Sequence, residues 1–349
     1  MAASILLAVG LGTAIFVGLN VGGSSTGVSF GPAVGSDAIS IRGASALMAV
    51  FAFLGGIVIG PNVVETLGEG IVPGQFFTLE ASIIILFFIG LNILLGNLLG
   101  VSSSTSQIAV GAVVGMGIAL DAIDWGVVGV IFLWWILSAV IAFWIAVIVG
   151  KYFYDDIVAF LALEDRGRWP KVLVLAVGCY MAFSAGASNV ANAVAPLVGA
   201  GEIGMIPALL LGGVAMGAGA FVIGPRTMRT IGGEITELPI EAALIVEFIG
   251  ATLITLLSQA GIPASLAIVA TLAIIGLGWG RATRGVGVAP ETGIATLGDD
   301  DRRHVEENFA DLFNLQTTAR IVTTWMATPL IAGLLSFGVF EAGEVVGVF

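Results

Sequence analysis

Val58-Ile59-Gly60-Pro61, with Thr66, Gly68 and Ile71 behind it, returns 164 residues later as Val222-Ile223-Gly224-Pro225 with Thr230, Gly232 and Ile235, seven identities in fourteen positions. The same offset, without a gap, lays Gly23-Ser24-Ser25, Pro32, Val34 and Gly35 over Ala187-Ser188-Asn189, Pro196, Val198 and Gly199. The chain is a duplication. Its fold follows from how often each half crosses its surroundings.

Composition identifies those surroundings. Of 349 residues, 58% are apolar and 10% charged, with a mean hydropathy of +1.09, whereas soluble domains carry roughly 25% charge. So little polar surface cannot cover a globule in water, which excludes an ordinary soluble enzyme. Apolar runs near the ~20 residues of a spanning helix lie around 2–20, 41–60, 78–100, 103–120, 125–149, 172–187, 205–223, 240–260, 264–280 and 320–340. The duplicated Gly/Ser/Asn-rich stretches 22–36 and 186–200 are too short to cross and are expected to be re-entrant hairpins. Five crossings per half is an odd number, so the second half enters from the opposite face. The expected fold is an all-α polytopic membrane protein of about ten transmembrane helices plus two re-entrant hairpins, with an inverted-topology internal repeat. Its expected parts are a first repeat, 1–150, with hairpin 22–36; a cytoplasmic linker, 151–171; and a second, inverted repeat, 172–349, with hairpin 186–200 and a cytoplasmic loop, 281–319.

That crossing count gathers all twelve basic residues on one side: Arg42, Lys151, Arg166, Arg168, Lys171, Arg226, Arg229, Arg281, Arg284, Arg302, Arg303 and Arg320. The positive-inside rule makes that side the cytoplasm of a cell (plasma) membrane protein. Both termini, with Glu65, Glu69, Asp121, Asp124 and Glu202, then lie outside. Met1 to Asn20 lacks a basic leader and reads as the first span. Trp125, Trp169, Trp279 and Trp325 fall near span ends, where an indole suits the interface. A net charge of -12 argues against nucleic-acid partners. The single cysteine, Cys179, excludes an internal disulfide framework or a thiolate metal cluster. Fifty glycines, many inside apolar runs, suit close helix packing and are compatible with a homo-oligomer.

The polar residues within the spans are few and clustered. Ser24, Ser25 and Thr26, with Ser29 and Ser36, occupy the first duplicated stretch; Ser188, Asn189 and Asn192 occupy the second. Hydroxyls and amides donate to anion oxygens and offer oxygens to a hard cation, although an isolated serine also bonds back to its own helix. Clustering at repeat-related positions favours a substrate and ion site. Ser104, Thr105 and Ser106 open one span and Ser265 opens its counterpart, as N-caps or as donors around an anion. Glu247 is the one carboxylate deep inside an expected span, a candidate coupling acid. Arg226, Arg229 and Arg320 steer an anion or simply anchor span ends. Gly27-Val28-Ser29-Phe30-Gly31 has the spacing of a hydrolase nucleophile elbow, but lacks the strand and a histidine partner: the one histidine, His304, sits in a distant charged loop. With no dinucleotide, Walker A or H-E-x-x-H motif, the chain is expected not to be an enzyme. It is expected to hold no cofactor and no metal beyond a transported sodium, and to draw energy from a gradient or from ATP on another chain.

Gly186-Ala187-Ser188-Asn189-Val190-Ala191-Asn192-Ala193, then Pro196-Leu197, resembles the G-A-N-D-x-A-N-A motif of the inorganic phosphate transporter (PiT) family of anion permeases. Gly22 to Gly31 with Val34-Gly35-Ser36 is a weaker first copy. Ser104-Thr105-Ser106 with Val110-Gly111-Ala112, Gly261 to Ser265, Thr230-Ile231-Gly232, and Trp325 with Thr328-Pro329 extend the likeness along nearly the whole chain. The resemblance implies an inverted-repeat carrier importing phosphate with sodium or protons, the two motifs forming the site, and Glu247 matches a family acid. Ser25 and Asn189 stand where the motif has aspartates, and Ala52 where a first-half glutamate is common. Losing three carboxylates weakens a sodium site. It also shifts weight toward sulfate, which has no proton to give, and away from monohydrogen phosphate, whose proton benefits from a carboxylate acceptor. Phosphate is the first expectation, sulfate the second, and an uncoupled channel or transceptor the rival from another class.

Overall fold

The computed structural model describes residues 2–99, 104–161, 169–235, 239–283 and 315–346. Among them are helices only: α1 Ala2–Gly35, α2 Ile41–Val58, α3 Gly60–Glu65, α4 Leu79–Leu99, α5 Thr105–Ala119, α6 Trp125–Ile148, α7 Tyr154–Leu161, α8 Trp169–Gly199, α9 Met205–Val222, α10 Gly224–Ile235, α11 Ile240–Gln259, α12 Leu266–Ala282 and α13 Leu315–Val346. Each of the ten expected spans meets a helix. Eight stretches are long and apolar enough to cross a membrane, while α5 and α12 are shorter apolar helices. Much of the expected loop 281–319, with His304, and part of the linker 151–171 lie outside the described residues.

The structure corrects the expected hairpins. Residues 22–36 and 186–200 do not turn back: they run on as the C-terminal halves of α1, 34 residues, and α8, 31 residues. Glycine and serine break helices in water, but between apolar neighbours they make close crossings, and hydroxyls bond back along the helix, as Thr26 Oγ1 does to the Gly22 carbonyl at 2.6 Å. Pro32 and Pro196 sit inside these helices. Each lacks the N–H that would bond the carbonyl four residues earlier, at Val28 and Asn192. One continuous helix crosses once, as a span followed by a re-entrant hairpin would, so exchanging the hairpin for a helix leaves the expected crossing count unchanged.

The two halves interlock through glycine. A Cβ on Gly22 would overlap the Met216 carbonyl of α9, and one on Gly186 would overlap the Ala52 carbonyl of α2. These are one contact made twice, since both members shift by 164. Gly219 against Leu19 and Gly55 against Phe183 form a second such pair. Gly111 and Gly115 of α5 likewise press on Pro329 and Gly333 of α13, and Gly276 and Gly280 of α12 on Phe143 and Val147 of α6. All of these join a helix of one half to a helix of the other. Trp125, Trp169 and Trp279 are exposed, whereas Trp325, ten residues into α13, is buried.

Candidate functional site

α1 and α8 cross near their duplicated serines, and at that crossing Asn189 Nδ2 donates to Ser25 Oγ at 3.3 Å. The two residues are repeat mates, 164 apart, so the bond lies on the axis relating the halves. Asn189 Oδ1 accepts from Thr105 Oγ1 and Ser106 Oγ, both at 3.1 Å, and from Asn192 Nδ2 at 3.4 Å. Ser106 Oγ also lies 3.3 Å from Ser188 Oγ, which donates to the Ala264 carbonyl at 3.2 Å. Four elements are thereby tied together: α1, α8, the start of α5, and the turn before α12.

Between them is a recess of about 330 Å³, counting its open mouth, lined by Ser24, Ser25, Val28, Ser104, Thr105, Asn189, Ser265, Leu266 and Ala267. Two helix N-termini open into it. Ser104 Oγ caps α5 by accepting from the Gln107 N–H, and Ser265 Oγ caps α12 by accepting from the Ile268 N–H. The N–H groups of Thr105, Ser106, Leu266 and Ala267 remain as first-turn donors that no helix carbonyl takes. Each terminus carries about +0.5 of a charge, and none of the lining side chains is charged. The arrangement can hold a small anion by hydroxyls, an amide and backbone donors in a low-dielectric setting. Among the described residues, no three of His, Cys, Asp and Glu cluster as metal ligands.

Of the residues expected from sequence, Ser24, Ser25, Ser104, Thr105, Asn189 and Ser265 line the recess. Ser106, Ser188 and Asn192 form the hydrogen-bonded layer behind it. Thr26 is turned away, fully buried against Gly224. Glu247 is buried on α11 and its Oε1 has no hydrogen-bond partner among the described residues. Ser184 Oγ donates to the Ala251 carbonyl at 3.0 Å; Glu247 is one turn before Ala251, and Ser188 one turn after Ser184. Phe248, next to Glu247, packs its ring 5.8 Å from that of Tyr180, a turn before Ser184, and Glu247 is not among the residues lining the recess. Ser29 lies buried within α1, not on a strand-to-helix elbow. Val28, Leu266 and Ala267 were not foreseen. Val28 follows Ser24 by four residues, a helical spacing concealed by the hairpin reading, and the other two contribute backbone that no side-chain motif announces.

Residues 21–166 and 161–336 match the profile of the Phosphate transporter family. The Sulfate permease CysP of Bacillus subtilis (strain 168) is 31% identical over 327 residues, covering 93% of this chain and 84% of the permease. A solved structure described as the sodium-dependent phosphate transporter covers 98% of this chain and 100% of its own at a TM-score of 0.71 and 21% identity, and thus shares the fold. Duplicated motif, interlocked halves and profile match agree along nearly the full length, and the chain belongs to the phosphate transporter family, as an integral membrane protein.

Proposed function

We propose that this protein is a secondary transporter that carries inorganic phosphate across the cell membrane by alternating access, coupled to a cation gradient. The carrying observation is the uncharged recess on the repeat axis, into which the N-termini of two helices from opposite halves open. An anion held there lies on the hinge between inverted halves, so exchanging their conformations moves its access from one face to the other. Ser24, Ser25 and Asn189 contact the anion from α1 and α8, while Ser104, Thr105 and Ser265 present the helix-end donors. Ser106, Ser188 and Asn192 hold Asn189 in place. The protein moves its substrate and makes or breaks no bond in it. Basic loops face the cytoplasm and both termini face out.

A second reading, sulfate, is favoured by a specific observation. The recess has no carboxylate to accept the proton of monohydrogen phosphate, and a relative with 31% identity is described as a sulfate permease. The same lack bears on coupling. Asn189 Oδ1 already accepts three hydrogen bonds, which leaves neutral hydroxyls for a sodium ion. Glu247, an intramembrane acid outside the recess, is then the residue that couples transport to protons.

Purified protein in liposomes is to be tested for uptake of labelled phosphate and labelled sulfate, with and without imposed sodium and proton gradients. Accumulation of either anion above its external level is expected, and Glu247→Gln abolishes gradient-driven accumulation while sparing exchange of anion for anion. Flux that never exceeds equilibration would replace the carrier by a channel, and accumulation by Glu247→Gln equal to wild type would remove Glu247 from coupling.

A further inference from the structure

Asn62, in α3, donates through Nδ2 to the Gln259 carbonyl at the last residue of α11, at 2.8 Å. Arg226, in α10, donates through Nη2 to the Leu98 carbonyl in the last turn of α4, at 3.2 Å. Asn62 and Arg226 are repeat mates at an offset of 164. Leu98 and Gln259 are also mates, at the offset of 161 that relates the starts of α4 and α11 (Leu79, Ile240) and the caps of α5 and α12 (Ser104, Ser265). Two unlike side chains therefore make one bond twice, across halves each time.

What each bond restrains is specific. Six residues after Leu98 the chain reaches Ser104, and six after Gln259 it reaches Ser265; both caps line the recess. The Asn62 side is reinforced. Gly261 has a φ of +73°, and a Cβ there would lie 2.9 Å from Thr66 Oγ1 and 3.0 Å from the Asn62 carbonyl, so no larger residue fits. Trp135 Nε1 donates to the Pro263 carbonyl at 2.7 Å, and Ser188 to Ala264. A helix N-terminus contributes to an anion site only where its first turn points, and each bond holds the helix end that precedes one of them in the chain.

We propose that Asn62 and Arg226 are a repeat-related pair of positioning residues, each pinning the helix end that precedes one recess-lining N-terminus, on opposite membrane faces. Both are engaged in this structure. Releasing one widens access to the recess from its own face and leaves access from the other face unchanged. The inference rests on the inverted-repeat carrier reading, and it requires the two residues to have opposite effects.

In a Cys179→Ala background, Ser24→Cys serves as a reporter in the recess, labelled by a membrane-impermeant maleimide from either face of sealed vesicles. Asn62→Ala raises labelling from the α3 face and Arg226→Ala from the α10 face, each about tenfold, the scale of one lost hydrogen bond. Arg226→Lys, which keeps a donor, labels as the parent does. Increases from the same face, no change in either variant, or an Arg226→Lys variant indistinguishable from Arg226→Ala would overturn the proposal. Failure of Asn62→Ala and Asn62→Ser alike to reach the membrane would also overturn it, because the residue would then serve folding. The readout needs no transport. A protein that moves neither anion yet shows opposite labelling would sink the transport reading alone.

Discussion

Ser25 and Asn189 meet at 3.3 Å on the repeat axis, and each occupies a position where the family motif carries an aspartate. A carboxylate at either position would face an anion in the recess. At an effective dielectric near 20 and a separation of about 5 Å, a carboxylate repels each unit of the anion's charge by about 3 kcal/mol, roughly two orders of magnitude in affinity per unit charge. Asn189→Asp is therefore expected to weaken anion uptake at least about a hundredfold. The loss is greatest at high pH, where the new carboxylate is charged, and recovers as acid protonates it. Sulfate, whose own charge does not change in the neutral range, is the probe, with uptake measured across pH; a uniform loss at every pH would point to disrupted packing. The asparagine was legible from its place in the repeat. Its fourfold bonding was not, because Thr105 and Ser106 reach it from 84 and 83 residues away.

At the scale of elements, α1 and α8 show how one composition supports two readings. A Gly/Ser-rich stretch with a proline signals a turn where backbone must reverse, and a crossing where another helix waits. Gly22 and Gly186 belong to the second case, since a side chain at either would strike a backbone carbonyl. Gly22→Val and Gly186→Val should each lower thermal stability, by about 1–3 kcal/mol or more because no flexible side chain can yield. Gly12→Val, where nothing lies within 4 Å, should leave melting in detergent unchanged. Equal effects of all three would mean that helix propensity, not the crossing, sets the cost. Ser104 and Ser265 were legible as openings of spans. Their convergence on one recess is a property of α5 and α12 packed against α13 and α6 of the opposite halves.

Across the whole molecule, ends expected to share a face touch each other. Lys171 Nζ donates to the Asp37 carbonyl at 3.2 Å, and the Arg281 guanidinium lies 4.5 Å from the Tyr154 ring centroid, both among the expected basic loops. On the expected acidic side, the Asp124 N–H donates to the Ile71 carbonyl at 2.9 Å. Single cysteines at Lys151 and Arg281 should react with an impermeant reagent only from the cytoplasm, and those at Glu65, Asp121 and Glu202 only from outside. Mixed labelling within either group would break the crossing count on which the inversion rests. The long apolar side chains left exposed on α6, such as Leu133, Ile136 and Trp144, form its lipid-facing stripe.

Hydropathy over windows of spanning length and the 164-residue duplication are properties of the chain itself. They determine a lipid environment and paired halves before any contact forms. Helix continuity through residues 22–35 and 186–199 was decided by packing, because glycine turns or crosses according to what lies beside it. Tertiary structure alone also decided that Thr26 faces away, that Glu247 stands apart from the recess, and that Asn62 and Arg226 close mirror-image bonds. Each depends on which face of a helix meets a partner from the other half, and periodicity within one helix does not carry that information.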